Sequence, residues 1–224
     1  MINILMSRSS ALTKEWAFDH LKNILKSDMK VVVLGFSFFG DLTEKRYFEE
    51  YGENSEYQEK IKAIFSLYKI SNIDWIYYYK MSHSDMIKLI RSADILYYPG
   101  GAPDLMMKRI VEKNIFNELK SFDKIIIGSS AGAMIQLKNY HISPDNEYFK
   151  YSENEGLEYV DDLFIEVHFR RRRKQKSSMR KINRKYKMPI YVIPDDGMLI
   201  VNNKVVTTLN AASLYYNNGK TLGD

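Results

Sequence analysis

Short runs of branched apolar residues alternate along the chain with longer segments whose apolar positions recur every three or four residues. The runs predict buried strands, and the longer segments predict helices with one apolar face. Ile2 to Met6 reads as a first strand, followed by a polar turn from Ser7 to Ser10. Thr13 is placed to cap a helix reaching about Lys26, with Trp16, Leu21, Ile24 and Leu25 on its apolar side. Val31 to Phe36 is a second strand. Thr43 to Tyr51 and Glu56 to Tyr68 carry charged helical patterns, Ile73 to Tyr79 is a third strand, and His83 to Arg91 is a helix. Asp94 to Tyr98 is a strand ending in Pro99-Gly100-Gly101, and Pro103 opens the helix after it.

The run Ile125-Ile126-Ile127 predicts a strand that passes through Gly128-Ser129-Ser130-Ala131-Gly132-Ala133 into a helix starting near Met134. Asn139 to Asp162 is tyrosine-rich and reads as an irregular excursion. Phe164 to Phe169 is a further strand, and a strongly basic helix spans about Lys174 to Lys187. Pro189 to Ile193, Gly197 to Val201, Val205 to Thr208 and Ser213 to Tyr216 are short strands, with Asn202-Asn203 as a hairpin turn. Alternating strands and helices imply an α/β fold built on a mostly parallel, doubly wound sheet. The 224 residues are compatible with one such domain, residues 1–224. Ligands in such folds sit beyond the carboxyl ends of the strands, where both Gly100-Gly101 and Ser130 lie.

Composition narrows the chemistry. The chain has no cysteine, which removes disulfides, thiolate metal sites and a cysteine nucleophile. Met1 to Met6 is too short for a signal-peptide core and is interrupted by Asn3, and no run approaches the roughly 18 apolar residues of a membrane span. A cytoplasmic location without membrane association is therefore expected. The formal charge is +5, modest for this length but concentrated after residue 168.

A strand, a turn of small residues and a helix form the context of a G-x-S-x-G elbow, with Ser130 between Gly128 and Gly132. Small residues let the backbone turn sharply and expose one hydroxyl. A serine hydroxyl needs a base within hydrogen-bond reach and a group that orients the base. Of four histidines, His20 and His83 precede the site elements, His141 follows the elbow, and His168 ends a strand at the cleft end. His168 is the expected base, with His141 behind it. Asp145, between Ser130 and His168, is the expected acid, and Glu147 is the reserve. The amide of Ala131 and one from the Gly100-Gly101 turn are candidates for an oxyanion hole, because no Cβ obstructs the approach of a glycine amide. No cofactor or metal is implied.

These residues resemble peptidase family S51, which holds aspartyl dipeptidases and cyanophycinases. Tyr97-Tyr98-Pro99-Gly100-Gly101 is similar to that family's strand-Gly-Gly element, and Gly128-Ser129-Ser130-Ala131-Gly132-Ala133 to its nucleophile element. Glu155-Gly156-Leu157 and Val167-His168-Phe169 are similar to the elements before and around its histidine, and Pro194-Asp195-Asp196-Gly197 to its L-P-E-G turn. The resemblance implies a flavodoxin-like, class I amidotransferase-like fold and a serine hydrolase acting on short peptides. It implies Ser130 as nucleophile and His168 as base, and by spacing it favours Asp145 as the acid. A catalytically inactive binding protein on the same fold is the alternative.

Arg170 to Arg173, with the lysines and arginines up to Lys187, allows three readings. One is a solvated helix face. A second is a fork for a substrate carboxylate, which suits a peptide with N-terminal Asp. Alternation along an extended segment would then put Arg170 and Arg172 on the side of His168. A third is a nucleic-acid patch, which is not expected because no nucleic-acid fold motif accompanies it. The expected partner is a small peptide substrate, with a homodimer left open.

Overall fold

The computed structural model describes residues 1–217 and 219–222. Strand β1 (Ile2–Met6) leads through a 3₁₀ turn (Ser9–Thr13) to helix α1 (Glu15–Leu21), then β2 (Val31–Gly35), α2 (Glu44–Tyr51) and α3 (Glu56–Ser66). There follow β3 (Ile73–Tyr77), α4 (His83–Ser92), β4 (Ile95–Tyr98), α5 (Pro103–Glu112), α6 (Phe116–Lys120), β5 (Ile125–Ser129) and α7 (Ala131–Met134). The remainder is β6 (Asn139–Ile142), β7 (Ser152–Glu155), β8 (Phe164–Val167), α8 (Arg173–Tyr186), β9 (Ile190–Ile193), β10 (Gly197–Asn202), β11 (Val205–Asn210), β12 (Ser213–Asn217) and β13 (Lys220–Thr221).

The large sheet has the order β11-β10-β1-β5-β4-β2-β3. Its β1, β5, β4, β2 and β3 run parallel, and β10 and β11 extend it antiparallel at one edge. This is the expected mostly parallel α/β sheet. The period-two rule sorts its side chains into two cores. Leu5, Val32, Leu34, Leu96 and Ile126 pack with Met86 and Ile90 of α4 and Met106 and Ile110 of α5. Ile4, Met6, Val31, Val33, Ile95 and Ile127 pack with Ala17 and Leu21 of α1 and Ile61 and Phe65 of α3. Because both faces are covered, the strands read as unbroken apolar runs. A second sheet, β13-β12-β9-β8, packs Phe164, Ile190, Val192 and Tyr216 against Met179 and Ile182 of α8.

Several local expectations are revised, each by a physical cause. The helix expected from Thr13 to Lys26 is split, because Lys14 is extended (φ −83°, ψ 143°) and buried Leu12 belongs to the preceding 3₁₀ turn. The helix after the elbow stops at Met134 because residues 156–160 take the backbone beyond it. The amide of Leu157 donates to Ile135 O, those of Tyr159 and Val160 donate to Gln136 O, and that of Lys138 donates to Val160 O. The excursion after it contains the β6–β7 hairpin. The β10–β11 turn is centred on Asn203 and Lys204 rather than Asn202-Asn203: Asn202 pairs with Val205, and both loop residues have positive φ (46° and 68°). That is the type I′ geometry whose twist matches a two-residue hairpin. Among the described residues no helix is long and apolar enough to cross a membrane.

Candidate active site

Ser130 sits between β5 and α7 with φ 49° and ψ −111°, a conformation that costs a non-glycine residue roughly 1–3 kcal/mol. Its amide donates to Met6 O at 2.8 Å, which ties the turn to the end of β1. Both flanking glycines are required by close approach. A Cβ on Gly128 would lie 2.1 Å from Gly132 O, and one on Gly132 would lie 1.9 Å from Tyr98 O. The tight crossing of β5, α7 and β4 thus leaves the Ser130 side chain half-buried at the carboxyl end of the sheet.

His168 follows β8 in a left-handed conformation (φ 50°). Its amide donates to Ser7 Oγ at 2.8 Å, and Ser7 Oγ donates to Ile193 O at 2.6 Å. Gln175 of α8 donates to His168 O at 3.0 Å and accepts from the Arg170 amide at 3.0 Å. With the backbone fixed in this way, the imidazole bridges two groups. Nε2 lies 3.0 Å from Ser130 Oγ, and Nδ1 lies 2.6 Å from Asp195 Oδ1. The other oxygen of Asp195 accepts from Arg170 Nη2 at 2.8 Å and pairs with Arg8 Nε at 3.1 Å. Burial pushes the Asp195 carboxyl up, but hydrogen bonds from His168, Arg170 and Arg8 outweigh it and hold the group well below the usual carboxylate range. An ionised Asp195 accepts the Nδ1 proton, which leaves the Nε2 lone pair to accept from the Ser130 hydroxyl.

The acid beside His168 is therefore Asp195, not the expected Asp145. Asp145 lies in the loop after β6, where its Oδ1 accepts the amides of Glu147 (2.9 Å) and Tyr148 (2.8 Å). Its short side chain is spent on its own turn. Glu147, the reserve, makes no hydrogen bond to His168, whose ring nitrogens are taken by Asp195 and Ser130. Asp195 is delivered by strand pairing: β8 and β9 are parallel with Val167 opposite Ile193, so His168 and the Pro194-Asp195 turn leave the sheet at the same level. The available signal was an acidic residue directly after a buried strand, in the turn that resembles L-P-E-G. His141 is fully buried, and its Nε2 lies on Glu166 Oε2 at 2.7 Å.

Gly100 and Gly101 do flank the serine. A Cβ on Gly100 would lie 3.4 Å from that of Ser130. Gly101 has φ 140°, and a Cβ there would meet Ser37 O at 2.0 Å. Ser37 Oγ donates to Gly100 O at 2.7 Å, and Ser37 O accepts the Ala102 amide at 2.7 Å. The Ser37 loop is itself held by buried Arg109, which donates to Phe36 O (2.8 Å), Phe38 O (2.6 Å) and Gly40 O (2.7 Å). Among the described residues no acceptor takes the amide of Gly101 or Ala131. Two donors thus remain available beside Ser130.

Ser130 and His168 open into a cavity of about 350 Å³, walled by Phe39, Tyr148, Glu166 and Arg172 among others. Arg170 and Arg172 both line it, but not through strand alternation. His168 and Arg171 have positive φ and α8 begins at Arg173, so the segment is not extended. The Arg170 guanidinium is engaged by Asp195, whereas Arg172 is exposed at the mouth. No group of three or more His, Asp or Glu side chains that could hold a metal occurs among the described residues.

Comparison with known proteins follows the same lines. The profile of peptidase family S51 matches residues 49–209. Among solved structures, a candidate peptidase E protein from Listeria monocytogenes EGD-e aligns with TM-score 0.63 at 20% identity, covering 92% of this chain and 96% of that one. A peptidase from an acI-B1 actinobacterium aligns with TM-score 0.64 at 12% identity, covering 98% and 91%. At these identities the two structures show a shared fold. A comparison with curated proteins gives no match.

Proposed function

The chain belongs to peptidase family S51, and from that premise we propose that it is a serine peptidase of short peptides. The observation that carries the reading is the unbroken hydrogen-bond chain from Ser130 Oγ through His168 to Asp195. Ser130 Oγ attacks the peptide carbonyl carbon while His168 Nε2 takes its proton. His168 then gives that proton to the departing amine, and a water molecule deacylates the serine by the reverse sequence. Asp195 holds the ring in the working tautomer and stabilises the imidazolium. The amides of Gly101 and Ala131 stabilise the oxyanion, and Gly100 makes the turn that presents Gly101.

The preferred substrate in this reading carries an N-terminal Asp. Its side-chain carboxylate needs a cation at the cleft, since an unpaired anion loses more solvation than it recovers. Arg172 supplies that cation. Arg170 serves Asp195 instead, which narrows the two expected arginines to one. Covalent labelling of Ser130 by a fluorophosphonate, together with hydrolysis of an Asp-X dipeptide, tests the reading. A protein that binds the dipeptide but neither labels nor turns over would be a binding protein on a peptidase fold.

A further inference from the structure

Beneath the cleft lies a polar cluster that the serine chemistry does not use. Glu166 of β8 lines the same cavity as Ser130 and His168, yet is only 4% exposed. Its Oε2 receives His141 Nε2 at 2.7 Å and Ser143 Oγ at 2.8 Å, so the carboxylate is locked in direction. Among the described residues Oε1 has no hydrogen-bond partner, and the partners of Oε2 are His141 and Ser143. His141 Nδ1 is buried with no partner among the described residues, so the contact with Glu166 is the ring's one hydrogen bond. Among the described residues no lysine or arginine pairs with Glu166, so the carboxylate stands at the cavity wall with one oxygen open. Ser143 donates its proton to Glu166, which leaves its oxygen lone pairs free, and it lines the cavity as well.

We propose that Glu166 and Ser143 together receive the α-ammonium group of the substrate's first residue. An ammonium carries three donors and no acceptor, and here it meets two acceptors, one of them charged. The cations at the start of α8, Arg172 and Lys174, stand elsewhere on the same cavity. The cavity therefore offers both poles of a residue that carries a free amine and an acidic side chain. This rests on the peptide-substrate reading above and adds to it a requirement for a free N-terminus.

The test is equilibrium binding to the full chain carrying Ser130→Ala, so that no turnover is needed. Asp-Leu and Ala-Leu are each compared with their N-acetylated forms, and the comparison within each pair cancels any side-chain preference. The free amine should bind at least about tenfold more tightly than the acetylated form, as expected for one charge-assisted hydrogen bond. Adding Glu166→Gln should bring the two within about twofold of each other. Equal binding of free and acetylated peptides to Ser130→Ala, or discrimination that survives Glu166→Gln, overturns the proposal. If Glu166→Gln does not fold, Ser143→Ala removes one of the two acceptors and must lower the ratio; an unchanged ratio overturns the proposal equally. Fluorophosphonate labelling of the wild type reports separately on Ser130, so the peptidase reading and the ammonium site fail independently.

Discussion

Asp195 Oδ1 lies 2.6 Å from His168 Nδ1, although the two residues are 27 positions apart and Asp195 stands in the link between the two sheets. The contact follows from the parallel pairing of β8 with β9, in which Val167 faces Ile193. Both chains leave their strands side by side, and the first carboxylate beyond β9 meets the imidazole beyond β8. Arg8, just after β1, closes the other side of the same carboxylate.

Asp195→Asn should lower kcat by about 10⁴-fold, because an amide in this place favours the wrong imidazole tautomer. Asp145→Asn keeps an oxygen for the Glu147 and Tyr148 amides and should stay within about threefold of wild type, because an exposed side chain that caps its own loop is replaced by one that caps it equally. Steady-state kinetics on one dipeptide decides between them. A large loss for Asp145→Asn with none for Asp195→Asn would reverse the roles.

Ser130→Ala should abolish labelling and hydrolysis. Ser130→Gly should do the same while unfolding at a higher temperature than Ser130→Ala. Glycine relieves the strained φ of 49°, worth roughly 1–3 kcal/mol, against roughly 0.5–1 kcal/mol of added chain entropy in the unfolded state. Thermal melts of the two variants test this, and a lower melting temperature for the glycine variant would count against strain at the elbow.

The stability conferred by Asp195 depends on pH with a definite sign. Its folded carboxyl titrates below its unfolded value, so the unfolded chain binds more protons and stability rises with pH across that window. The difference in Tm between wild type and Asp195→Asn should be complete above the unfolded carboxyl range, about pH 4, and should shrink as the pH falls below it. A gap that instead widens on acidification would contradict the ion-paired carboxylate.

Gly132→Ala should destabilise the protein by about 3 kcal/mol or more, because its Cβ would fall 1.9 Å from the Tyr98 carbonyl oxygen, a backbone atom of a buried strand. Chemical denaturation measures the loss. A variant as stable as wild type would mean that β4 and α7 can part without cost.

Arg172→Met should erase a preference for Asp-X over Asn-X dipeptides while changing cleavage of neutral substrates by less than about threefold, since one paired charge is removed and the cleft walls remain. The ratio of kcat/KM for the two peptides, before and after the substitution, is the measurement. A wild-type ratio near one would remove the arginine from substrate recognition.

The strands of the large sheet and the turn at the elbow follow from local patterns, and the sequence by itself determined them, whereas the β6–β7 hairpin and the separate second sheet were not legible. Three isoleucines make a strand buried on both faces, and glycines on either side of Ser130 permit a crossing that any Cβ would block. The short elbow helix was not legible, because its end is set by amides from Leu157 to Val160 that reach back to carbonyls near Ile135. The acid was not legible for a similar reason. Asp145 and Asp195 are both acidic residues in turns, and the one local difference, that Asp195 directly follows a buried strand in the turn resembling L-P-E-G, does not by itself name the partner of His168. Only the register between β8 and β9 brings one of them to His168 and leaves the other to cap its own loop. The meeting of His141, Ser143 and Glu166 likewise depends on the β6–β7 hairpin packing beside β8, a contact between segments that share no local pattern. Backbone chemistry is written residue by residue, whereas a side chain's partner is chosen by the packing of distant strands.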